Sequence, residues 1–196
     1  KKLFSVGIKA DKFVPVSAEQ QKRLKQKYGF DPSKPLVIHV GHCSTWRGLE
    51  DFAKIHAAQR MVAASGMFED KNVVRTLTEA GVKLHSGYLE NVEEIYQMAD
   101  AYLFPTRSTE FVISIPLSVM EALSCGVPVI GYKSFENLHA IASFPGAITL
   151  IDSAEQLDGI LSEVIKKKSS HSLLEKADSW DDVARNVLQM VQEENT

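Results

Sequence analysis

Two stretches of the 196-residue chain carry side chains whose types and spacing could do chemistry. Glu121 stands alone among Leu117, Val119, Met120, Ala122 and Leu123, in a run with helical spacing. A carboxylate in such surroundings is costly to bury without a partner. Its two oxygens match a vicinal diol; a salt bridge or a backbone N–H cap would also satisfy them. Ser118, three residues earlier, shares its helix face beside the N-terminal turn, where the dipole favours an anion. The second stretch, Gly41-His42-Cys43-Ser44-Thr45-Trp46-Arg47-Gly48, sets a hydroxyl pair and a guanidinium between two glycines. Backbone N–H groups opening a helix, together with Arg47, suit a phosphate, although a capped turn with an exposed arginine fits the same residues. His42 by itself fits a surface or supporting histidine as well as an acid or base. With neither G-x-G-x-x-G nor Gly-Lys-Ser/Thr in the loop, it is neither a dinucleotide fingerprint nor a Walker loop.

The surrounding pattern positions these stretches. From Lys34 onward, short β-branched apolar runs alternate with longer segments of helical period, which predicts repeated βα units on a parallel sheet. The strands are expected at residues 36–40, 60–64, 82–85, 101–104, 127–130 and 147–150. The helices between them are expected near 46–58, 69–80, 91–99, 116–125, 135–142 and 154–168. Ser153 to Gln156 has capping-box spacing, and Gly126 is placed to end the helix that carries Glu121. Outside the alternation, residues 18–28 read as a polar helix ended by Gly29. Residues 180–194 read as an amphipathic helix with Trp180, Val183, Val187, Met190 and Val191 on its apolar side. The run Lys166–Lys168 reads as a solvated turn. In a parallel sheet of this kind ligands lie beyond the carboxyl ends of the strands. Both chemical stretches fall there. Gly66-Met67, Gly87-Tyr88-Leu89 and Tyr132-Lys133-Ser134 follow other strands and carry little alone.

Bulk numbers narrow the function classes. The length suits one domain, or two small ones at the limit, by the rule of roughly 100–200 residues each, and 44% hydrophobic with 24% charged residues excludes collagenous, coiled-coil and disordered chains. A net charge of −3 lacks the basic footprint of a nucleic-acid binder. Cys43 and Cys125 form no framework and no metal spacing, so two reduced structural thiols are expected. No run of 18 apolar residues occurs, so no transmembrane segment is expected. The first residue is Lys and all five methionines are internal.

Several ordered motifs resemble the C-terminal, donor-binding domain of the group 1 retaining glycosyltransferases of the GT-B fold. Gly7-Ile8-Lys9-Ala10-Asp11-Lys12-Phe13-Val14-Pro15 is similar to that family's interdomain linker, with Lys9 where an Asp usually stands. Val40-Gly41-His42 through Arg47-Gly48 resembles its V-G-R-x-x-x-x-K-G loop. Gly87 with Val92 to Ala101 resembles the segment ending in A-D, Glu121 to Val129 resembles E-A-x-A-x-G-x-P-V, and Ser179-Trp180-Asp181-Asp182-Val183-Ala184 resembles the start of the last helix.

The resemblance implies a Rossmann-like six-stranded parallel sheet with helices on both faces. It divides the chain into a linker and leading helix (1–33), a donor-binding domain (34–178) and a C-terminal helix (179–196) that would pack toward an N-terminal domain. Arg47 would hold the diphosphate with Gly41 and His42, the latter replacing the usual Arg. Glu121 would accept the ribose hydroxyls, Leu117 and Ser118 would offer phosphate contacts, and Gly87, Tyr88 and Leu89 would meet the base. The family's second carboxylate, eight residues before Glu121, is Ile113 here, and Glu110 is the nearest substitute as the catalytic, sugar-facing group. No cofactor and no metal are implied. The partners are a nucleoside diphosphate sugar and an acceptor sugar or lipid-linked glycan held by the other domain. The expected location is the cytoplasm, with peripheral attachment at the membrane face open to the full-length protein. The chain would be one half of an enzyme of roughly 350–400 residues. Two other functions stay open: a non-catalytic nucleotide-sugar binder or partner subunit, which His42 and Ile113 favour, and a GT-B sugar-nucleotide epimerase, which would need no acceptor.

Overall fold

The computed structural model describes residues 7–9, 11–67, 69–110, 112–113, 115–141, 143–175 and 178–194. Ala10 of the linker motif, Phe111 and Ser114 of the loop before Glu121, Ala142 at the end of one expected helix, and residues 1–6 and 195–196 lie outside them.

Six strands form one all-parallel sheet: β1 (Leu36–Gly41), β2 (Gln59–Ala64), β3 (Lys83–Ser86), β4 (Ala101–Phe104), β5 (Val129–Tyr132) and β6 (Ile148–Ile151), in the order β3-β2-β1-β4-β5-β6. Alternate residues serve opposite layers. Leu36 and Ile38 pack into one core cluster and Val37 into the other, which is why the strands read as continuous apolar runs. The first cluster is closed by α1 (Ala18–Lys27), α3 (Val92–Met98) and α4 (Leu117–Ser124), the second by α2 (Lys71–Glu79) and α5 (Leu157–Ile165). Cys43 and Cys125 are free, buried, and lie in different clusters. The fold is therefore the α/β, Rossmann-like sheet with helices on both faces that the sequence predicts.

Several elements depart from the expected bounds. The helix expected at 46–58 is two 3-10 turns, Thr45–Arg47 and Leu49–Lys54, divided by Gly48 at φ 68°. A continuous helix would need Gly48 in the right-handed region. The segment 135–142 is likewise a 3-10 helix, Glu136–Ala140, and 154–168 begins as a 3-10 turn, Ala154–Gln156, before α5. There Gln156 Oε1 accepts from the N–H of Ser153 at 3.2 Å. β5 starts at Val129 because Val127 N–H still donates to Ala122 O, completing the end of α4. β3 likewise starts at Lys83 because Val82 N–H donates to Leu77 O. Gly126, at φ 71°, lets Ser169 O approach to where a Cβ would be 2.3 Å away.

The leading segment is part of the same body. Ile8, Phe13, Leu24 and Phe30 are buried in the first cluster. Ser124 Oγ donates to Phe13 O at 2.7 Å, and Gln97 Nε2 donates to Val14 O at 3.2 Å. These bonds hold Phe13 against α4 and Val14 against α3. The last helix, α6 (Trp180–Glu194), leaves Trp180, Val187, Leu188 and Val191 exposed. The 166–168 turn is not wholly solvated: the Lys168 ammonium is half-buried and donates to Ala99 O, and burial pulls its pKa down to about 8.

Candidate functional site

The strand order reverses between β1 and β4, where a parallel sheet opens a crevice at its carboxyl end. β1 and β4 pair only at Val37–Ala101 and Ile38–Tyr102, whereas β1 and β2 pair over six positions. Tyr102 OH donates across the opening to Val40 O at 3.2 Å. Both chemical stretches meet here, because the Gly41–Gly48 loop leaves β1 and the segment before α4 leaves β4.

Two hollows flank β1 at this end. The first, about 340 Å³, is an apolar slot lined by Val40, Gly41, Ala63, Ala64, Ser65, Met67, Gly87, Tyr88, Leu89 and Val92. The second, about 300 Å³, holds Lys12, Leu117 and Glu121 and shares Tyr88, Leu89 and Val92 with the first. Meeting at these shared residues, the two form a trough that is apolar at one end and charged at the other, where Lys9, Lys12, Glu90 and Glu121 stand.

Glu121 is only partly exposed, and its Oε2 accepts from Tyr96 OH at 2.7 Å. Burial raises the pKa of its carboxyl above the ordinary value, and the Tyr96 hydrogen bond opposes that rise. Neither a salt bridge nor a backbone cap is found for it among the described residues. α4 begins after Pro116 with no side-chain cap, and Val119 N–H already donates to Pro116 O at 3.1 Å, so it is the N–H groups of Leu117 and Ser118 that open the helix without a side-chain competitor. Arg47 ends a 3-10 turn with its guanidinium half-buried. Burial lowers its pKa while the nearby Tyr102 phenol opposes the shift. No carboxylate among the described residues pairs with Arg47. His42 Nδ1 lies 3.2 Å from Ser65 Oγ, which ties the β1 loop to the loop after β2. Asp70 caps α2 and also accepts from Thr45 Oγ1 at 2.5 Å, anchoring the β1 loop from below.

The trough thus brings together Gly41, Gly87, Tyr88, Leu89, Leu117 and Glu121. Arg47, His42 and Ser118 stand on the loops and helix turn beside it. Glu110 does not line either hollow: its side chain is exposed, and its N–H donates to Ser108 Oγ at 3.2 Å. Ile113, at the place of the second carboxylate, is 58% exposed.

One residue at the crevice escapes the sequence reading. His39 is 1% exposed; its Nδ1 donates to Leu103 O at 3.1 Å, and its buried Nε2 has no partner among the described residues. A Cβ on Gly41 would lie 2.7 Å from that nitrogen. Burial lowers the imidazole pKa to about 4, so it is neutral at pH 7. In the sequence His39 looks like a strand position, and no local signal separates it from one.

A Rossmann-like domain with this trough at its switch point has the fold of the C-terminal half of a GT-B glycosyltransferase. The chain belongs to the family "Glycosyl transferases group 1", whose profile matches residues 20–187. It is 27% identical over 137 residues to the sulfoquinovosyl transferase SQD2 of Arabidopsis thaliana, covering 68% of this chain and 26% of that protein. It is 24% identical over 178 residues to the N,N'-diacetylbacillosaminyl-diphospho-undecaprenol alpha-1,3-N-acetylgalactosaminyltransferase of Campylobacter jejuni, covering 88% of this chain and 42% of that one. The chain therefore spans less than half of these curated relatives. Among solved structures, Anabaena Alr3699/HepE in complex with UDP and glucose superposes with a TM-score of 0.77 at 14% identity, over 97% of this chain and 56% of that one. The C-terminal domain of the group 1 protein LpcC from Francisella tularensis superposes at 0.55 and 16% identity, over 92% of this chain and 98% of that domain. Among the described residues no group of three or more His, Cys, Asp or Glu is placed to hold a metal, and no helix is long and apolar enough to cross a membrane.

Proposed function

We propose that the chain is the donor half of a retaining, metal-independent glycosyltransferase and binds a nucleoside diphosphate sugar along the trough. The base enters the apolar slot against Gly87, Tyr88 and Leu89. The ribose hydroxyls donate to Glu121. The diphosphate lies between Arg47 and the N–H groups at Leu117 and Ser118, with Gly41 and His42 alongside. The observation that carries this reading is the meeting of an apolar slot with a half-buried carboxylate that has one protein partner among the described residues, beside a guanidinium that no carboxylate among them neutralises. In this reading residues 34–178 are the donor domain, 1–33 the linker and leading helix, and 179–196 the helix that meets an acceptor domain. An acceptor sugar or lipid-linked glycan would be held there. Retaining transfer asks the protein mainly to position the donor and neutralise the leaving diphosphate, which Arg47 is placed to do.

Thermal shifts with UDP, GDP, ADP and their sugar conjugates test this directly. At about a hundredfold excess over Kd, linkage gives roughly 2.7 kcal/mol, or about 5–10 °C for this size. A shift with one base, lost in Arg47→Ala, is the expected result, and UDP is the first candidate because the Alr3699/HepE structure is a complex with it. No shift with any nucleotide refutes the reading. The exposure of Glu110 and Ile113 favours a second reading, a binder without turnover. Transfer or donor hydrolysis that is lost in Glu110→Gln would exclude it.

A further inference from the structure

Arg47 and the start of α4 leave different strands, so a diphosphate held between them requires the two loops to keep a fixed spacing, to within about 0.5 Å for a productive site. Three side chains distant in sequence join those loops. Asp51, in the second 3-10 turn, is 8% exposed. Its Oδ2 accepts from Arg107 Nη2 at 2.7 Å and from Tyr132 OH at 2.6 Å. The Arg107 guanidinium carbon also lies 3.9 Å from the centroid of the Tyr132 ring. The backbone follows the same joint. A Cβ on Gly48 would come within 2.6 Å of Pro105 O and 2.8 Å of Arg107 Nη1, and the buried Thr106 hydroxyl donates to Arg47 O at 3.5 Å.

We infer that Asp51, Arg107 and Tyr132 form a positioning brace that sets the distance from the Arg47 guanidinium to the N-terminus of α4, and with it the grip on the diphosphate. This inference rests on the donor reading above. None of the three residues lines either hollow, so the brace acts through the loops it joins. Its geometry needs arginine: a planar fork that can donate to a carboxylate while stacking on an aromatic ring has no lysine equivalent. The apolar slot is built from β1 and the loops after β2 and β3, which the brace does not touch. A disturbed brace should therefore weaken phosphate contacts and leave base contacts intact.

Calorimetric titration with UDP and with uridine, on the wild type, Arg107→Lys and Tyr132→Phe, tests this. Arg107→Lys is expected to weaken UDP about tenfold and Tyr132→Phe about threefold, with uridine changed less than about twofold in either. Tyr132→Phe removes a single hydroxyl, so it keeps the test usable if Arg107→Lys folds poorly. A loss shared equally by UDP and uridine, or no loss for either ligand in both variants, overturns the brace while a wild type that prefers UDP keeps the donor reading. A wild type that binds UDP no better than uridine overturns the donor reading and the brace together.

Discussion

Asp100 at the amino end of the sheet and Glu121 at its carboxyl end are satisfied in opposite ways. At the amino end Asp100 is fully satisfied: Oδ2 accepts from Lys25 Nζ at 2.6 Å and Leu36 N–H at 2.8 Å, and Oδ1 accepts from Gln21 Nε2 at 2.8 Å. Lys25, 4% exposed, donates again to Lys34 O. At the carboxyl end, among the described residues, Glu121 has one protein partner, Arg47 has no carboxylate and His39 Nε2 has no hydrogen-bond partner. Buried polar groups are normally paired. The closed network therefore belongs to the fold, and the open one is the place a ligand can complete.

The contrast breaks most severely at Asp100. Asp100→Ala leaves the Lys25 ammonium buried without its counter-charge and should cost about 3–5 kcal/mol, read as a lower urea midpoint at pH 7. Nucleotide affinity of the folded fraction should stay at the wild-type value.

His39 comes next. Its folded pKa of about 4 lies below the ordinary 6.5, so the unfolded chain takes up the proton first as pH falls. The stability it contributes is present above about pH 6.5 and is lost as pH falls through 4, about 3 kcal/mol in all. Denaturant midpoints at pH 7, 5.5 and 4 should show this slope in the wild type and a flatter one in His39→Gln. Equal slopes would assign the acid sensitivity elsewhere.

Arg47→Ala should weaken UDP by about 2 kcal/mol, in a salt-dependent way. Its melting temperature should stay near the wild type, because no carboxylate among the described residues loses a partner.

Glu121→Gln has the smallest expected effect, about 1 kcal/mol of nucleotide affinity, and it tests the sign of the contrast. The folded carboxyl has a raised pKa, so its contribution to stability is present below the unfolded value and is lost as pH rises through the folded one. Glutamine escapes that loss. Between pH 4 and pH 8 the variant should therefore gain stability relative to the wild type, while wild-type nucleotide affinity rises over the same range as the carboxylate forms. Parallel trends in stability and affinity would contradict a Glu121 that serves a ligand rather than the fold.

What could be read in the sequence follows from how local each cause is. The β-branched runs announce the six strands because their burial on both faces is written residue by residue. Glu121 is conspicuous for being charged in an apolar helix, and the glycines around Arg47 mark its loop. The 3-10 turns are less local. Gly48 breaks the expected helix at 46–58, and its close fit is to Pro105, which follows β4 and is distant in sequence. The brace is invisible for the same reason: Arg107 and Asp51 are 56 residues apart and Tyr132 and Asp51 are 81 apart, with only the folded sheet joining them. Tyr132 had seemed an uninformative loop residue. Lys168 sat in a charge run that looked solvated, because nothing nearby in sequence shows Ala99 O within its reach.

The slot and the proposed phosphate contacts share β1 but otherwise come from different elements. Ser65, Met67, Gly87, Tyr88 and Leu89, on the loops after β2 and β3, line the slot, whereas Arg47 follows β1 and Leu117 opens α4. Substitutions that reshape the first set need not disturb the second. On the donor reading proposed above, a domain wired this way can drift from one nucleobase to another without losing its hold on the part that every nucleoside diphosphate has in common. That makes exchange of those two short loops the natural unit for re-engineering its choice of base.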